Sequence, residues 1–320
     1  MTLVLNEKFI RVNGHRLCPV CGKPDWCAFN STIAICMRVE SNKPIKNGGW
    51  LHKLSEPLLT VAKDIEVETA VIAPLEVRDK IYKAFLNLLT LSPEHKNELL
   101  RRGLNDEQIK SFRSVPIEKP WFMCQKLIDK GFELKGVPGF FRAPNKHGGY
   151  YWTYKIKPGF IIPIEDKTRK IQALQVRLDK PDSRGKYRLF SSLNKKAGSC
   201  SGVPVHAAIP CRIKERRVWI TEGRLKATIS SQYLNAVVLG LISATTWRPV
   251  IEMLKSKRPE VVIAYDMDQN SNIWVERAVK ELTSELIENG HKVTIASWKG
   301  PNGIDDALIN GAEIEYKNMK

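Results

Sequence analysis

Residues 218–227 read Val-Trp-Ile-Thr-Glu-Gly-Arg-Leu-Lys-Ala, and residues 261–268 read Val-Val-Ile-Ala-Tyr-Asp-Met-Asp. Each stretch begins with a short apolar run, which is typical of a strand buried on both faces, and continues into carboxylates. Two further apolar runs lie at 236–239 and 293–296. Strands that alternate with helices predict an α/β sheet with mostly parallel strands over residues 206–320. The helical patterns between the runs cover residues 225–233, 246–255 and 273–289.

The acidic residues of this region fall where its strands are predicted to end. Because the carboxyl ends of parallel strands meet at one edge of a sheet, Glu222, Asp266 and Asp268 are expected to lie close together. The Asp-x-Asp spacing places both carboxylates on the same side of an extended chain. Asp305 follows the last predicted strand and adds a third acidic point. Crowded carboxylates repel one another and a hard cation relieves the repulsion, so the pattern predicts a Mg²⁺ or Mn²⁺ site.

Four of the seven cysteines lie near the N-terminus, at Cys18, Cys21, Cys27 and Cys36. The sequence Cys18-Pro-Val-Cys21 places two thiolates on one tight turn, as zinc knuckles do. Residues 1–54 are therefore predicted to form a β zinc ribbon with Cys18, Cys21 and Cys36 as Zn²⁺ ligands. For the fourth ligand His52 is slightly favoured. Cys27 is the alternative, because it faces Cys36 if the hairpin loop between them has two residues.

The charge of the chain points to a polyanionic partner. Lysine and arginine total 51 residues against 34 acidic residues, for a formal net charge of +17. Basic side chains near phosphates release condensed counterions, which favours nucleic acid as the partner. Glu7, Lys8 and Arg11 interrupt any apolar signal-peptide core, and the longest apolar stretch is too short to span a bilayer. We therefore expect a cytoplasmic protein with no membrane partner.

The middle of the chain divides into a linker and a basic region. Residues 55–75 contain two prolines and little periodicity, which predicts a linker. Helical patterns begin near Leu75 and at Ser92-Pro93, where a serine cap precedes a proline in the first helical position. Residues 121–205 are basic and aromatic and are expected to form strands. Residues 76–205 are thus predicted to be a basic α+β subdomain that binds nucleic acid.

Two motifs of the C-terminal region resemble the signature motifs of the TOPRIM domain. They are Thr221-Glu222-Gly223-Arg224-Leu225-Lys226-Ala227 and Tyr265-Asp266-Met267-Asp268. Bacterial-type primases, type IA and II topoisomerases, some nucleases and recombination proteins share this domain. The resemblance implies that Glu222 is the acid/base or metal-positioning carboxylate and that Asp266 and Asp268 are Mg²⁺ ligands. It places Asp305 in the position of a third family acid.

The segments ahead of the predicted sheet resemble the basic subdomain of bacterial-type primases. They are Phe160–Asp166, Arg177-Leu178 and Gly185–Ser192, and residues 101–109 are similar to the helical stretch that precedes that subdomain. Together with the zinc ribbon, the order of modules matches over most of the chain. One departure is that Cys36 is followed by Met-Arg-Val instead of a second Cys-x2-Cys knuckle.

The resemblance implies a DNA primase that makes short primers on a single-stranded DNA template from nucleoside triphosphates. The side chains expected to hold template or triphosphate oxygens are Arg177, Lys186, Arg224 and Lys226. Tyr187 and Phe190 either stack on unpaired bases or pack in the core. The sequence has no G-x-x-x-x-G-K-[ST] phosphate loop, so the replicative helicase is expected to be a separate protein. The compact architecture suggests a phage, plasmid or mobile element as the origin.

Two other functions stay open from the sequence. A TOPRIM nuclease would share the acidic motifs, although such nucleases usually accompany an ATPase. A catalytically silent accessory protein of replication would bind single-stranded DNA without using the acids. A type IA topoisomerase fits less well than the nuclease, because it needs a large clamp with a nucleophilic tyrosine.

Overall fold

The computed structural model describes residues 9–13, 16–45, 48–54, 68–183, 185–267 and 273–319. The chain divides into two compact units, Met1–Val67 and Glu68–Lys320. Most of the predicted linker and the proposed metal ligand Asp268 lie outside the described residues. None of the helices within the described ranges is long and apolar enough to cross a membrane.

The N-terminal unit is a four-stranded antiparallel sheet. Its strands are β1 (Ile10–Arg11), β2 (Ala28–Phe29), β3 (Ile33–Cys36) and β4 (Trp50–Lys53), in that order across the sheet. The predicted hairpin between β2 and β3 is confirmed, with Ala28 opposite Ile35. The Asn30 carboxamide oxygen accepts hydrogen bonds from the backbone N–H groups of Thr32 and Ile33, at 3.1 and 2.8 Å, which fixes the loop. The Asn30 N–H donates to the Ile33 carbonyl at 2.8 Å, so the loop has two residues.

The second unit begins with helices whose starts follow the capping signals in the sequence. They are α1 (Leu75–Asn87), α2 (Pro93–Arg101), α3 (Asp106–Ile109) and α4 (Pro120–Asp129). The Ser92 hydroxyl accepts from the His95 N–H at 3.3 Å, and Asn105 forms a capping box with Gln108. The expectation of strands from residue 121 onward is wrong at α4. Pro120 starts a helix there, and Met123, Cys124 and Leu127 on one face are buried.

A second sheet and a separate hairpin follow. The strands are β5 (Arg113–Ser114), β6 (Phe140–Pro144), β7 (Tyr150–Tyr154), β8 (Gly159–Glu165), β9 (Ile171–Asp182) and β10 (Gly185–Leu189). The sheet has the order β10-β9-β8-β5, and β6 pairs with β7 alone. The predicted pairing of β8 with β9 is confirmed. Phe190 packs in the core, stacked on Phe85 with a centroid distance of 5.9 Å, which rules out a base-stacking role for it.

The C-terminal part is a six-stranded sheet flanked by helices. Its strands are β11 (His206–Ala208), β12 (Val218–Glu222), β13 (Val238–Leu241), β14 (Val261–Ile263), β15 (Val293–Trp298) and β16 (Ile314–Met319). Its helices are α5 (Arg224–Leu234), α6 (Arg248–Leu254), α7 (Ile273–Glu288) and α8 (Ile304–Ile309). The order is β11-β13-β12-β14-β15-β16. The four inner strands are parallel, as predicted, and the two edge strands, which the sequence did not indicate, are antiparallel.

Helix α5 packs on both sheets of the second unit. Leu225 and Ile229 on α5 lie in one buried cluster with Phe112 and Phe160 of the central region. On its other side α5 approaches β13 closely, because a Cβ on Gly240 would lie 2.9 Å from the Ala227 Cβ. The approach therefore requires glycine at position 240. This packing fixes the start of α5, which lies directly after the strand that carries Glu222.

Candidate metal centres and basic surface

The sulfur atoms of Cys18, Cys21, Cys27 and Cys36 lie within 4.8 Å of one another. The Sγ atom of Cys27 is 3.7 Å from that of Cys21 and 3.9 Å from that of Cys36. Four thiolates at the usual Zn–S distance around a tetrahedral ion stand about 3.8 Å apart. The cluster is therefore compatible with Zn²⁺, and its position corresponds to the predicted ribbon.

The fourth member of the cluster is Cys27, which corrects the preference for His52. In the β3–β4 pairing His52 lies opposite Ala34, and Cys36 lies opposite Trp50. His52 is thus two residues further along the sheet than Cys36, a displacement of about 7 Å. Its Nε2 atom lies 3.0 Å from the Val39 carbonyl oxygen. The two-residue loop of the β2–β3 hairpin instead brings Cys27 opposite Cys36, as the alternative prediction required.

Backbone amides of the loop after β3 point at the sulfurs. The N–H groups of Met37 and Val39 donate to the Sγ atoms of Cys27 and Cys36, each at 3.3 Å. Burial raises the pKa of Cys27 to about 12, and the neighbouring sulfurs of Cys18 and Cys21 add to the effect. Partial burial also disfavours the Cys21 thiolate, but hydrogen bonds from the Lys23 N–H and the other thiols lower its pKa to about 7. A cation in the centre would favour the thiolate form of all four.

In the second unit, Glu222 ends β12 at the carboxyl edge of the six-stranded sheet. Gly223, with φ of 81°, turns the chain from the strand into α5. The Glu222 Oε2 atom accepts a hydrogen bond from the Ala244 N–H at 3.2 Å, in the loop after β13. The buried Tyr265 hydroxyl donates to the Ala244 carbonyl at 3.0 Å, which holds the same loop. The carboxylate is therefore oriented by a neighbouring strand end.

Asp266 follows β14, the strand next to β12, as the alternation of strands predicted. The Lys226 ammonium group on α5 binds both carboxylate oxygens of Asp266. The Asn302 amide lies 3.4 Å from Asp266 Oδ2, and the Asn302 carbonyl accepts from the Met267 N–H at 3.0 Å. The sequence analysis did not predict the contacts that Lys226 and Asn302 make with Asp266. For Asn302 a signal was available, because Pro301-Asn302-Gly303 is a sequence typical of a turn.

Asp305 lies in the first turn of α8 and is only 3% exposed. Its Oδ1 atom has no hydrogen-bond partner in the part of the chain that the structure describes. Burial raises the pKa of Asp305, the Asp306 carboxylate adds to the rise, and Lys226 opposes it. A Cβ on Gly303 would meet both Asp305 Oδ1 and the Lys226 side chain, so these two groups line the same small space.

The carboxylates are less closely gathered than the thiols. Among the described residues the cysteine cluster is the one group of three or more potential ligands that converges on a point. Glu222 and Asp266 end neighbouring strands, and Asp305 is linked to Asp266 through Lys226. Asp268 is outside the described residues, so its predicted role stays a prediction. We refer to Glu222, Asp266 and Asp305 together as the acidic edge of the sheet. This edge already contains one cation, the Lys226 ammonium group.

Two of the predicted phosphate-binding arginines lie inside ion pairs. Arg177 Nη1 is 2.6 Å from Glu98 Oε1, and its guanidinium group lies over the Phe160 ring. Arg224 is 6% exposed, lies over Phe112 with 4.4 Å between the guanidinium carbon and the ring centroid, and donates to the Ser111 hydroxyl at 3.1 Å. Burial lowers the Arg224 pKa, and Glu165, at 3.7 Å, opposes this. Both arginines hold α2 or α5 against the central sheet in this structure.

Two further predicted contacts, Lys186 and Tyr187, are on β10. Lys186 is exposed and Tyr187 is 39% exposed, so both can reach a ligand. The adjacent Arg188 pairs with Asp182. The structure thus leaves Lys186 and Tyr187 accessible, partly buries Arg177, buries Arg224, and pairs Lys226 with Asp266. Their proposed roles in binding stay predictions.

Comparisons with known proteins address the fold. Residues 212–314 match a family described as a domain of unknown function, DUF3854, and no curated protein sequence matches the chain. The zinc-binding and RNA polymerase domains of the Aquifex aeolicus primase superpose with a TM-score of 0.55 at 17% identity, over 76% of this chain. The chain spans 63% of the length of that Aquifex structure.

Two further solved structures have the same fold. A DNA primase domain from Pseudomonas aeruginosa gives a TM-score of 0.53 at 15% identity, over 75% of this chain and 76% of that one. The RNA polymerase domain of Mycobacterium tuberculosis primase DnaG, solved with a double-stranded DNA oligomer that has a 6-nucleotide overhang, gives 0.51 at 15% identity, over 75% and 78%. About three quarters of the chain therefore has the fold of these bacterial primase domains.

Proposed function

We propose that this protein is a DNA primase that makes short primers on single-stranded DNA for a phage, plasmid or other mobile element. The observation that carries the proposal is the acidic edge, where Glu222 ends β12 and Asp266 follows the neighbouring parallel strand β14 in a primase-like fold. The Mycobacterium tuberculosis domain with a similar fold was solved with DNA, which supports a DNA template. We assign the C-terminal sheet to the TOPRIM class on the motifs around these acids.

The residues present fit a divalent cation. Asp305 Oδ1 is a buried oxygen without a described partner, and the carboxylates of Asp266 and Glu222 project from adjacent strand ends. Asp266, Asp268 and Glu222 would hold Mg²⁺ or Mn²⁺. The ion would neutralise charge that builds on a nucleoside triphosphate when a 3′-hydroxyl attacks its α-phosphate.

The chain's own side chains would then position the reactants. Lys226 lies against Asp266 and could contact a triphosphate oxygen from the same place. Lys186 and Tyr187 on β10 would contact the template, since both are exposed. Zn²⁺ bound by the four cysteines would fix the fold of the N-terminal ribbon, whose core is small. A separately encoded helicase would supply the unwound template.

One observation favours a second candidate, a catalytically silent protein that binds single-stranded DNA. Lys226 already neutralises Asp266, and the described carboxylates do not converge as the thiols do. Such an edge would be stable without any metal ion. This candidate predicts template binding without synthesis.

The decisive experiment is an assay of the purified protein with unprimed single-stranded DNA, labelled nucleotides and Mg²⁺ or Mn²⁺. The proposal expects labelled oligonucleotides that require the template and the divalent cation. Binding without synthesis would favour the silent protein, and degradation of the DNA would favour the nuclease alternative. Varying the nucleotide between ribo and deoxy forms in the same assay would determine which substrate is used.

A further inference from the structure

The hairpin of β6 and β7 projects an aromatic surface that none of the assignments above uses. Its base is anchored in the core, where Phe140 lies opposite Tyr154 and both rings are buried. Exposure increases toward the tip, where Tyr150 is 45% exposed and Tyr151 is 41% exposed. Tyrosine rings are large apolar surfaces that proteins normally cover at least in part. The gradient along the ribbon leaves these two rings at the surface.

Two basic side chains lie close to the Tyr150 ring. The Lys196 ammonium nitrogen lies 4.8 Å from the ring centroid, and the Arg142 guanidinium carbon lies 5.5 Å from it. Arg142 pairs with Trp152 across the ribbon and is diagonal to Tyr150, so both lie on one face of the hairpin. The Lys196 carbonyl accepts from the Arg142 N–H at 2.9 Å, which docks the 195–197 segment along β6. The two cations are thus built into the same surface as the ring.

The charge balance around the ring favours an anionic ligand. Lys196 pairs with Glu68 at 2.9 Å. No carboxylate in the described ranges lies within ion-pair distance of Arg142. Lys195 lies near the Phe141 ring on the opposite face, with 5.7 Å from its nitrogen to the centroid. A surface of aromatic rings interleaved with cations is the arrangement that binds unpaired bases and the phosphates between them.

We propose that Tyr150 is a stacking platform for one unpaired base of single-stranded DNA, with Arg142 and Lys196 neutralising the adjacent phosphates. Tyr150 is 45% exposed, so part of the residue is accessible to a base. The proposal rests on the proposed function for its choice of ligand and adds a template contact remote in sequence from Lys186 and Tyr187. A stabilising cation–π contact alone would not require the ring to stay exposed, since burial strengthens such contacts.

The test compares Tyr150→Ala and Tyr150→Phe in the full chain with wild type. Binding to an oligothymidylate of about 16 nucleotides is measured by fluorescence anisotropy, without nucleotides or divalent cations. Loss of one stacked base predicts a roughly 5- to 100-fold weaker affinity for Tyr150→Ala. Tyr150→Phe keeps the ring and should bind within about twofold of wild type. Tyr233→Ala, a change at a similarly exposed tyrosine on α5, is the matched control and should bind as wild type.

A second ligand separates stacking from charge. An oligonucleotide of the same length without bases keeps the phosphates, so wild type and Tyr150→Ala should bind it equally. Lys196→Met should lower the dependence of log K on log salt by about 0.7, whereas Tyr150→Ala should leave that dependence unchanged. Equal affinity of Tyr150→Ala and wild type for the oligothymidylate would overturn the proposal. So would an equal loss on the base-free oligonucleotide, or a Phe variant as weak as Ala.

The binding measurement and the primer-synthesis assay test different claims, so either claim can be wrong while the other holds. A chain that makes no primers but shows the expected binding ratios would overturn the proposed function and support the platform. A chain that makes primers while Tyr150→Ala binds the oligothymidylate normally would support the function and overturn the platform.

Discussion

The cysteine cluster and the acidic edge are two candidate metal centres that the fold builds in different ways. The four sulfurs already converge, and backbone N–H groups of the loop after β3 point at them. Glu222 at the end of β12 and Asp266 after β14 belong to no such cluster among the described residues, and Asp266 is paired with Lys226. Neutral thiols can approach one another without cost, whereas ionised carboxylates repel. A thiol site can therefore be assembled before its ion, while an acidic site needs a cation from the outset.

The difference is also the one expected between a structural metal site and the catalytic site proposed above. All four positions around the cysteine cluster are filled by protein, as in structural zinc sites. At the acidic edge the side chains come from different strands, and we have proposed that Glu222 and Asp266 bind the catalytic metal ion there. The following predictions test this contrast, in order of decreasing effect.

The largest effect is expected from Asp266→Asn. The swap removes a charge with little change in volume, so the fold should survive while the metal site is lost. Primer synthesis should fall by roughly 100-fold or more, and affinity for single-stranded DNA should stay within about twofold. Both are measured on the same preparation, by labelled-nucleotide incorporation and by anisotropy.

Substitutions at the other acidic residues show how specific the effect of Asp266→Asn is. Glu222→Gln should act like Asp266→Asn, and Asp305→Asn should have a milder effect. Asp306→Asn is the matched control, because Asp306 is the exposed neighbour of Asp305 on α8. Wild-type synthesis by the Asp266→Asn protein would remove this acid from the catalytic site.

Cys27→Ser tests the closed cysteine site. One lost thiolate leaves the tetrahedral set incomplete, so zinc bound per chain after dialysis should fall from about one to well below one half. His52→Ala should retain the metal, since His52 Nε2 lies near the Val39 carbonyl. Elemental analysis measures both, with Cys200→Ser, an exposed cysteine outside the cluster, as the control. Zinc retained by Cys27→Ser and lost by His52→Ala would reverse the assignment.

Acid should destabilise the sheet that carries the carboxylates through His206, on the edge strand β11. Burial lowers the pKa of His206 well below 6.5, and Arg224 adds to the effect. The folded protein thus keeps the ring neutral while the unfolded chain binds a proton below pH 6.5. Stability is therefore complete well above pH 6.5 and should be lost progressively as the pH falls below it.

The check on this prediction is urea unfolding at pH 7.5 and 5.5 for wild type and His206→Gln. The variant cannot take up that proton, so its loss of stability between the two pH values should be smaller by about 1 kcal/mol. Protonation of cysteines affects both proteins alike and cancels in the comparison. Identical pH dependence would mean that another group controls acid stability.

The smallest effect concerns the cation already present at the acidic edge. Lys226 must leave Asp266 before a metal ion can use both carboxylate oxygens. Lys226→Gln should therefore bind Mn²⁺ several-fold more tightly, on the order of 3- to 10-fold by calorimetry. Lys292→Gln, which breaks an exposed pair with Glu260, is the control and should leave Mn²⁺ affinity unchanged. A weaker affinity in Lys226→Gln would show that Lys226 supports the metal site instead of competing with it.

Local patterns in the sequence were sufficient for much of the fold. Some features depend only on residues that are close together in the sequence. They are the Ser92-Pro93 cap, the Asn30 hairpin and the apolar runs before Glu222 and Asp266. The same patterns failed at Pro120–Asp129, where aromatic residues suggested strands and a buried face made a helix. They also missed β11, which has only three residues, and β16, which is mostly exposed, because such edge strands carry little apolar signal.

The sequence by itself determined which residues are available for chemistry: the Cys18–Cys21 knuckle, the acids after apolar strands and the basic excess. Only the tertiary structure decided how they are used. Strand register selected Cys27 over His52, packing buried Arg224 against the Phe112 ring, and α5 placed Lys226 on Asp266. Each of these outcomes depends on contacts between residues that are not neighbours in the sequence. Packing and strand register set the distances between such residues, and local periodicity does not encode them.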